Sequence, residues 1–313
     1  MPNEHFIRRS SIAAFLAVML VASGCTGTTP NPVVGTAVAQ ARKSARPVAP
    51  EIVATDNAFG LALFNALNRS ATSNIAISPI SIALALQMVY NGAGGSTQQG
   101  MSQALQLQGL GALAVDKYNA ALQAALISPD PKAQLRIANS LWMHLRENPV
   151  LPSFASTNET YYAAKIGDLG GAPDDVNAWV ASETNGLIKK ILPPKNYSKV
   201  VAILANAIYF REMWTSTFIP SQTRAASFTL SDGTEILCQM MHKTSEFPYF
   251  LGPNFQAVEL PYGQTRRLRM LIILPAVGVN LKGFVANMTS EELNEWIADL
   301  FIGTLINPIQ SSS

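Results

Sequence analysis

From Val200 to Phe210 the chain runs through apolar side chains with a single amide among them, Asn206. A run of that length, rich in β-branched residues, reads as a central strand covered on both faces. The fold must therefore place layers on either side of a sheet. Asn206 must find hydrogen-bond partners inside it.

The remaining pattern supplies those layers. Asp56-Asn57 offers a helix cap before Phe59, Leu63, Phe64 and Leu67, which share one face. Asn74 to Ile77 reads as a short strand ending at Ser78-Pro79. The helix that follows, Ile80 through Met88, is apolar all round and so is buried rather than amphipathic. Ser96-Thr97 caps a further helix carrying Met101, Leu105 and Leu107. Leu135 to Met143 reads as a strand. Pro173, Asp174 and Asp175 open a helix with Val176, Trp179 and Val180 on one face, and Asn185-Gly186 suits its end. Residues 215–238 alternate around a turn at Ser231-Asp232-Gly233. Ala257 to Leu260 and Leu268 to Leu274 form a hairpin. Thr289 to Glu292 is a capping box opening a helix with Leu293, Trp296, Ile297 and Leu300 on one face. Helices and strands without a regular βαβ rhythm indicate an α+β domain.

Composition excludes several functions. Lys plus Arg is 22 and Asp plus Glu is 20, so the clustered cations needed to hold nucleic acid are missing. Two cysteines and three histidines supply neither a disulfide framework nor zinc-ligand spacing, and no metal or cofactor is expected. The glycines at 92–95 are followed by Gln98-Gln99 after Ser96-Thr97, not by the Lys-Ser/Thr of a phosphate loop, so they read as a helix–helix turn. No G-x-S-x-G motif or comparable nucleophile arrangement is present, and the chain is not expected to be an enzyme. Cys238 has no neighbouring base or cation until His242 and Lys243 and reads as a small buried hydrophobe. Arg266, Arg267 and Arg269 read as a solvated hairpin turn. Asn158-Glu159-Thr160 has the form of a glycosylation acceptor.

The N-terminus bears on location. Arg8 and Arg9 precede the apolar run Ile12 to Ala22, which is too short to span a bilayer comfortably. Ala22-Ser23-Gly24-Cys25 then resembles a bacterial lipobox. That resemblance implies removal of residues 1–24 and lipidation at Cys25. Residues 25–50 read as a flexible tether and 51–313 as one compact domain, placed at the extracytoplasmic cell surface or outside the cell.

A series of motifs in residues 51–300 points to one family. They are Asn57-Ala58-Phe59, then Asn74 through Ser81, then Gly92 through Thr97. Val176 through Val180, Thr184-Asn185-Gly186, Asn206 through Phe210 and Trp214 follow. Phe228, Asp232-Gly233, Met240-Met241, Glu259 through Tyr262 and Met270 through Pro275 complete the series. In this order they resemble the serpins. The resemblance implies three β-sheets with eight or nine helices. It also implies inhibition of extracellular serine, and in some members cysteine, proteases by a conformational trap. The protease cleaves an exposed reactive loop and is acylated; the loop then inserts into the main sheet and distorts the protease. By the same resemblance Ser78, Ser81 and Asn206 lie at the shutter, where sheet strands part, and Trp214 lies at the breach, where the loop enters.

The pattern also departs from that family. No hinge rich in Glu, Gly, Thr and Ala is present, so no reactive bond is assigned, and the domain is read as C-terminally incomplete, from an unfinished or disrupted reading frame. Met270 to Leu274 would then lack strand neighbours beyond its hairpin partner, and exposing its side chains at about 25 cal/mol per Å² would erode a margin of roughly 5–15 kcal/mol. A non-inhibitory serpin-like lipoprotein serving as a binding module, or a decayed gene product, is the alternative. Gly111 to Ser128 carries only Lys117, so activation by heparin-type polyanions is not expected.

Overall fold

The computed structural model describes residues 48–127, 134–230, 233–302 and 305–306. The leader, Cys25 and most of the tether lie outside the described residues, as do Ser231-Asp232 and nearly all of the chain after Ile302.

Eight α-helices and three β-sheets are described, an α+β arrangement in line with the three sheets and eight or nine helices that the resemblance implies. The helices are α1 (Pro50–Ser70), α2 (Pro79–Tyr90), α3 (Gly95–Ala104), α4 (Ala112–Ile127), α5 (Pro152–Tyr162), α6 (Asp174–Glu183), α7 (Leu281–Asn287) and α8 (Ser290–Ile302). A three-stranded sheet holds β1 (Gln134–Met143) at its centre, with β2 (Lys165–Asp168) parallel on one side and β3 (Ala202–Arg211) antiparallel on the other. β4 (Arg224–Thr229) and β5 (Glu235–Met240) form a hairpin. The third sheet has the order β8 (Arg269–Pro275), β7 (Phe255–Pro261), β6 (Phe247–Leu251), β9 (Leu305–Ile306).

β1 and β3 pair over ten residues each, and the sheet they form is covered on both faces. On one face Ala205, Ala207 and Trp142 pack with Trp179, Val176 and Val180 of α6. On the other, Leu135, Ile137 and Leu141 meet Ala83, Leu84 and Met88 of α2 and Leu122 and Leu126 of α4. α2 is buried over much of its surface because its sequence offers no polar face to water. Two glycines permit close layers. A Cβ on Gly60 would lie 2.7 Å from the ring of Pro79, where α1 meets the start of α2. A Cβ on Gly167 would lie 2.4 Å from the Trp142 ring.

A separate apolar cluster joins the third sheet to α7 and α8. Phe255 is its hub, with ring centroids 4.3 Å from Trp296, 5.5 Å from Phe284 and 5.7 Å from Phe250. The capping box forms as the sequence dictates. Glu292 N–H donates to Thr289 Oγ1 at 3.1 Å, and Thr289 N–H donates to Glu292 Oε2 at 3.0 Å.

Several expectations are corrected. β3 is covered on both faces but is not central: among the described residues it pairs only with β1, on one side. Among the described residues 74–77 form no strand; they lead into Pro79, the first residue of α2. Asp56 caps nothing, because α1 starts at Pro50, where the fixed φ of proline favours a first helical position. Asp56 is instead buried in mid-helix. α3 starts at Gly95, so Ser96 and Thr97 fall inside its first turn. Arg269 is not a solvated turn residue: its Nη1 lies 3.0 Å from Glu259 Oε2 across the β7–β8 pair. Asn158 faces inward, donating to Phe154 O at 3.1 Å.

Candidate functional site

Ser81 and Asn206 meet at the junction of α2 and β3. The Ser81 hydroxyl donates to Asn206 Oδ1, joining residues 125 apart in sequence. The amide of Asn206 is directed by register: it stands opposite Asn139 of β1, and its Nδ2 donates to Asn139 Oδ1 at 2.6 Å. Helix α2 supplies Ser81 from its first turn. Ser78 lies at the N-cap of α2, where its carbonyl accepts from Ile82 N–H at 3.2 Å and its hydroxyl makes no cap bond. The structure therefore joins Ser81 to Asn206 directly and leaves Ser78 one turn away, outside that contact.

Asn139 extends the connection inward. Its Nδ2 donates to Tyr162 O at 2.9 Å and to Gln123 Oε1 at 3.3 Å. Gln123 in turn donates to Asn119 O and Tyr161 O. Asn119 donates to Gln87 Oε1 at 2.6 Å, and Gln87 donates to Asp56 Oδ1 at 3.3 Å. A side branch runs from Tyr162 OH to Asp116 Oδ1 at 2.9 Å, which also accepts from Asn91. One polar chain thus ties α1, α2, α4 and α5 to the central strand β1 and the edge strand β3. Such networks act cooperatively when satisfied and are costly when cut.

The network carries buried carboxyls without a buried cation. Desolvation pushes the Asp56 carboxyl up to about 7, partly offset by the Gln87 hydrogen bond. Its Oδ2 has no partner, which fits a protonated group near neutrality. Burial also raises Asp116, offset by Asn91 and Tyr162. Burial and then the Asp116 charge hold the Tyr162 phenol well above its usual value.

Trp214 lies beyond the far end of β3. Its indole stacks on Tyr262 at 4.3 Å with an interplanar angle of 15°, and the two residues form an isolated bridge. Phe210, from the end of β3, meets the same Tyr262 ring edge-on at 5.1 Å, and Phe218 meets Trp214 at 6.0 Å. This aromatic cluster and the Ser81–Asn206 contact are both attached to β3, the strand whose outer edge has no strand partner among the described residues.

Asn139, Gln123, Asn119, Gln87, Asp56 and Tyr162 escaped the sequence reading as site residues. The signal that singled out Asn206, an amide among apolar residues, is present again at Gln87 within α2 and more weakly at Asn139, whose strand also carries Arg136 and Ser140. Among the described residues no three His, Cys, Asp or Glu side chains gather as a metal site.

Residues 54–303 match the family model described as serpin, serine protease inhibitor. The chain belongs to the serpin family. Leukocyte elastase inhibitor of Equus caballus is 34% identical over 256 residues, covering 76% of this chain and 65% of that protein. An uncharacterised serpin-like protein of Thermococcus kodakarensis is 36% identical over 235 residues, covering 72% of this chain and 54% of its relative. Among solved structures, the thermophilic serpin tengpin in its native state superposes with a TM-score of 0.73 at 26% identity, over 81% of this chain and 65% of that one. Emu (Dromaius novaehollandiae) ovalbumin gives 0.72 at 25% identity, over 79% and 69%. This serpin chain spans between about half and two thirds of the length of those two relatives. Serpins as a family are protease inhibitors rather than enzymes.

Proposed function

We propose that this serpin sequence belongs to an extracytoplasmic inhibitor of serine proteases that acts by loop insertion beside β3. The outer edge of β3, without a strand partner among the described residues, supports this reading. Ten residues of strand present one row of backbone groups to β1 and a second row to no strand among the described residues. An extended segment entering there would complete that row of hydrogen bonds. The contact of Ser81 with Asn206, mid-way along β3, supports a shutter role for both. The stacking of Trp214 on Tyr262 beyond the end of β3 supports a breach role for Trp214. α6 lies over β3 and would have to yield as a strand enters. The protease-inhibitor names among the relatives support a protease partner, with an elastase-type serine protease as the first to try. The lipobox-like Ala22 to Cys25 supports a lipid anchor on the outer face of a membrane.

The test is incubation of the whole gene product with elastase- and trypsin-type serine proteases, followed by denaturing electrophoresis. A covalent adduct resistant to SDS is expected, because the trap halts at the acyl-enzyme stage. Clean cleavage of the inhibitor by every protease tried, with no adduct, would instead favour the non-inhibitory binding-module reading.

A further inference from the structure

The loop joining α6 to β3 concentrates charge in a way the rest of the chain does not. Lys189, Lys190, Lys195 and Lys199 are four of the chain's ten lysines, and no acid occurs between Glu183 and Glu212. Every residue from Asn185 to Ile191 is exposed. The exposed residues include aliphatic ones: Leu187 is 75% exposed, with Ile188 and Ile191 each more than 40%.

The loop is held in place. Thr184 Oγ1 accepts from Ile188 N–H at 3.1 Å, closing the end of α6. Asn177 Oδ1 accepts from Ile191 N–H at 2.8 Å and Leu192 N–H at 2.9 Å. Leu192 packs inward beside the Trp142 and Trp179 core, whereas Leu187 projects away from it. Farther on, Tyr197 is buried and its hydroxyl donates to Pro193 O at 3.0 Å. A surface fixed in this way loses little conformational freedom when it binds.

We propose that residues 185–199 form a docking face for an anionic phospholipid surface. Lysines attract acidic headgroups, while aliphatic side chains beside them enter the headgroup–acyl boundary. A soluble polyanion would use the lysines and leave Leu187 in water. Orientation of the protein by this face rests on the anchored reading above; binding of the face to lipid does not. A tether of about 25 residues reaches up to roughly 80 Å when extended. That exceeds the roughly 45 Å width expected of a domain this size. An anchor at Cys25 therefore leaves every face free to meet the bilayer, and surface chemistry selects among them.

The test uses the full chain with Cys25→Ser and Cys238→Ser, so that no acyl chain or native thiol contributes. Binding is measured by co-sedimentation with vesicles of equal parts phosphatidylcholine and phosphatidylglycerol. Lys189→Gln with Lys190→Gln is expected to weaken binding about tenfold or more. The control pair Lys117→Gln and Lys282→Gln, exposed cations elsewhere, should change it far less. Leu187→Asn should also weaken binding. A dye on Leu187→Cys should be quenched by nitroxide-labelled lipid. Equal losses for the loop pair and the control pair overturn the proposal. So does a loop pair that abolishes binding of inorganic polyphosphate while Leu187→Asn leaves vesicle binding intact, which assigns the lysines to a soluble polyanion. Unchanged melting temperatures separate these effects from misfolding. The mass of the mature protein reports acylation at Cys25 independently.

Discussion

Two regions of this serpin chain are held together by different physics. Around β6 to β8, α7 and α8, the cohesion is aromatic: Phe255 gathers Phe250, Phe284 and Trp296 from elements close to it in sequence. Around β1 and β3 a chain of side-chain hydrogen bonds runs from Ser81 through Asn206, Asn139 and Gln123, and from Asn119 through Gln87 to Asp56. Apolar packing is strong but tolerant of shape-conserving change. Buried amides are directional and fail when one partner is lost. The difference suits a division of labour: a body that stays packed, and a strand edge whose neighbours are specified by pairing.

The largest effect is expected in the aromatic region. Phe255→Ala removes the hub and should cost about 3–5 kcal/mol in equilibrium denaturation. Phe255→Leu should recover much of that, because volume rather than direction matters there. Asn139→Leu, which keeps the number and branching of the side-chain heavy atoms, should cost about 2–4 kcal/mol. It strands Asn206 Nδ2, Gln123 Oε1 and Tyr162 O. If Asn139→Leu is harmless, the contrast between the regions collapses.

The carboxyl at Asp56 makes the polar region pH-sensitive. Its folded-state value of about 7 lies above the unfolded 3.8, so the native state holds the proton more tightly. Its contribution is therefore full below about pH 4 and is lost as pH rises toward and through 7, on the order of 4 kcal/mol across that window. Asp116, raised by burial, acts in the same direction. Asp56→Asn should flatten the fall in stability between pH 4 and 8, measured by denaturation at a series of pH values. An unchanged slope would place the titrating group elsewhere. Ser81→Ala should cost about 1–2 kcal/mol, since Asn206 Oδ1 loses its donor at a half-buried site. Smallest is Glu292→Ala, which removes half of the capping box and should cost about 1 kcal/mol or less.

Much of this was legible in the amino-acid order. The capping box at Thr289, the buried α2, the α6 face of Val176, Trp179 and Val180, and the long strand β3 all follow from local pattern. Asn206 announced itself as an amide in an apolar run. What local pattern could not supply was partnership. Asn206 meets Ser81 across 125 residues, and the register of β1 against β3 selects Asn139 as its other partner. The position of β3 at the edge of the described sheet is likewise set by pairing and not by its own composition, which reads as central. Asp56 was misread because an Asp near a helix start resembles a cap; the start of α1 at Pro50 placed it in mid-helix, facing Gln87.

The proposal that β3 receives an inserted strand is tested most directly by hydrogen exchange over Ala202–Arg211 in the whole gene product, before and after a target protease cuts it. Insertion would pair the outer row of β3 amides and slow their exchange by orders of magnitude, while exchange at Phe255–Pro261 stays as it was. Exchange over Ala202–Arg211 that is unchanged by cleavage would contradict insertion at this edge.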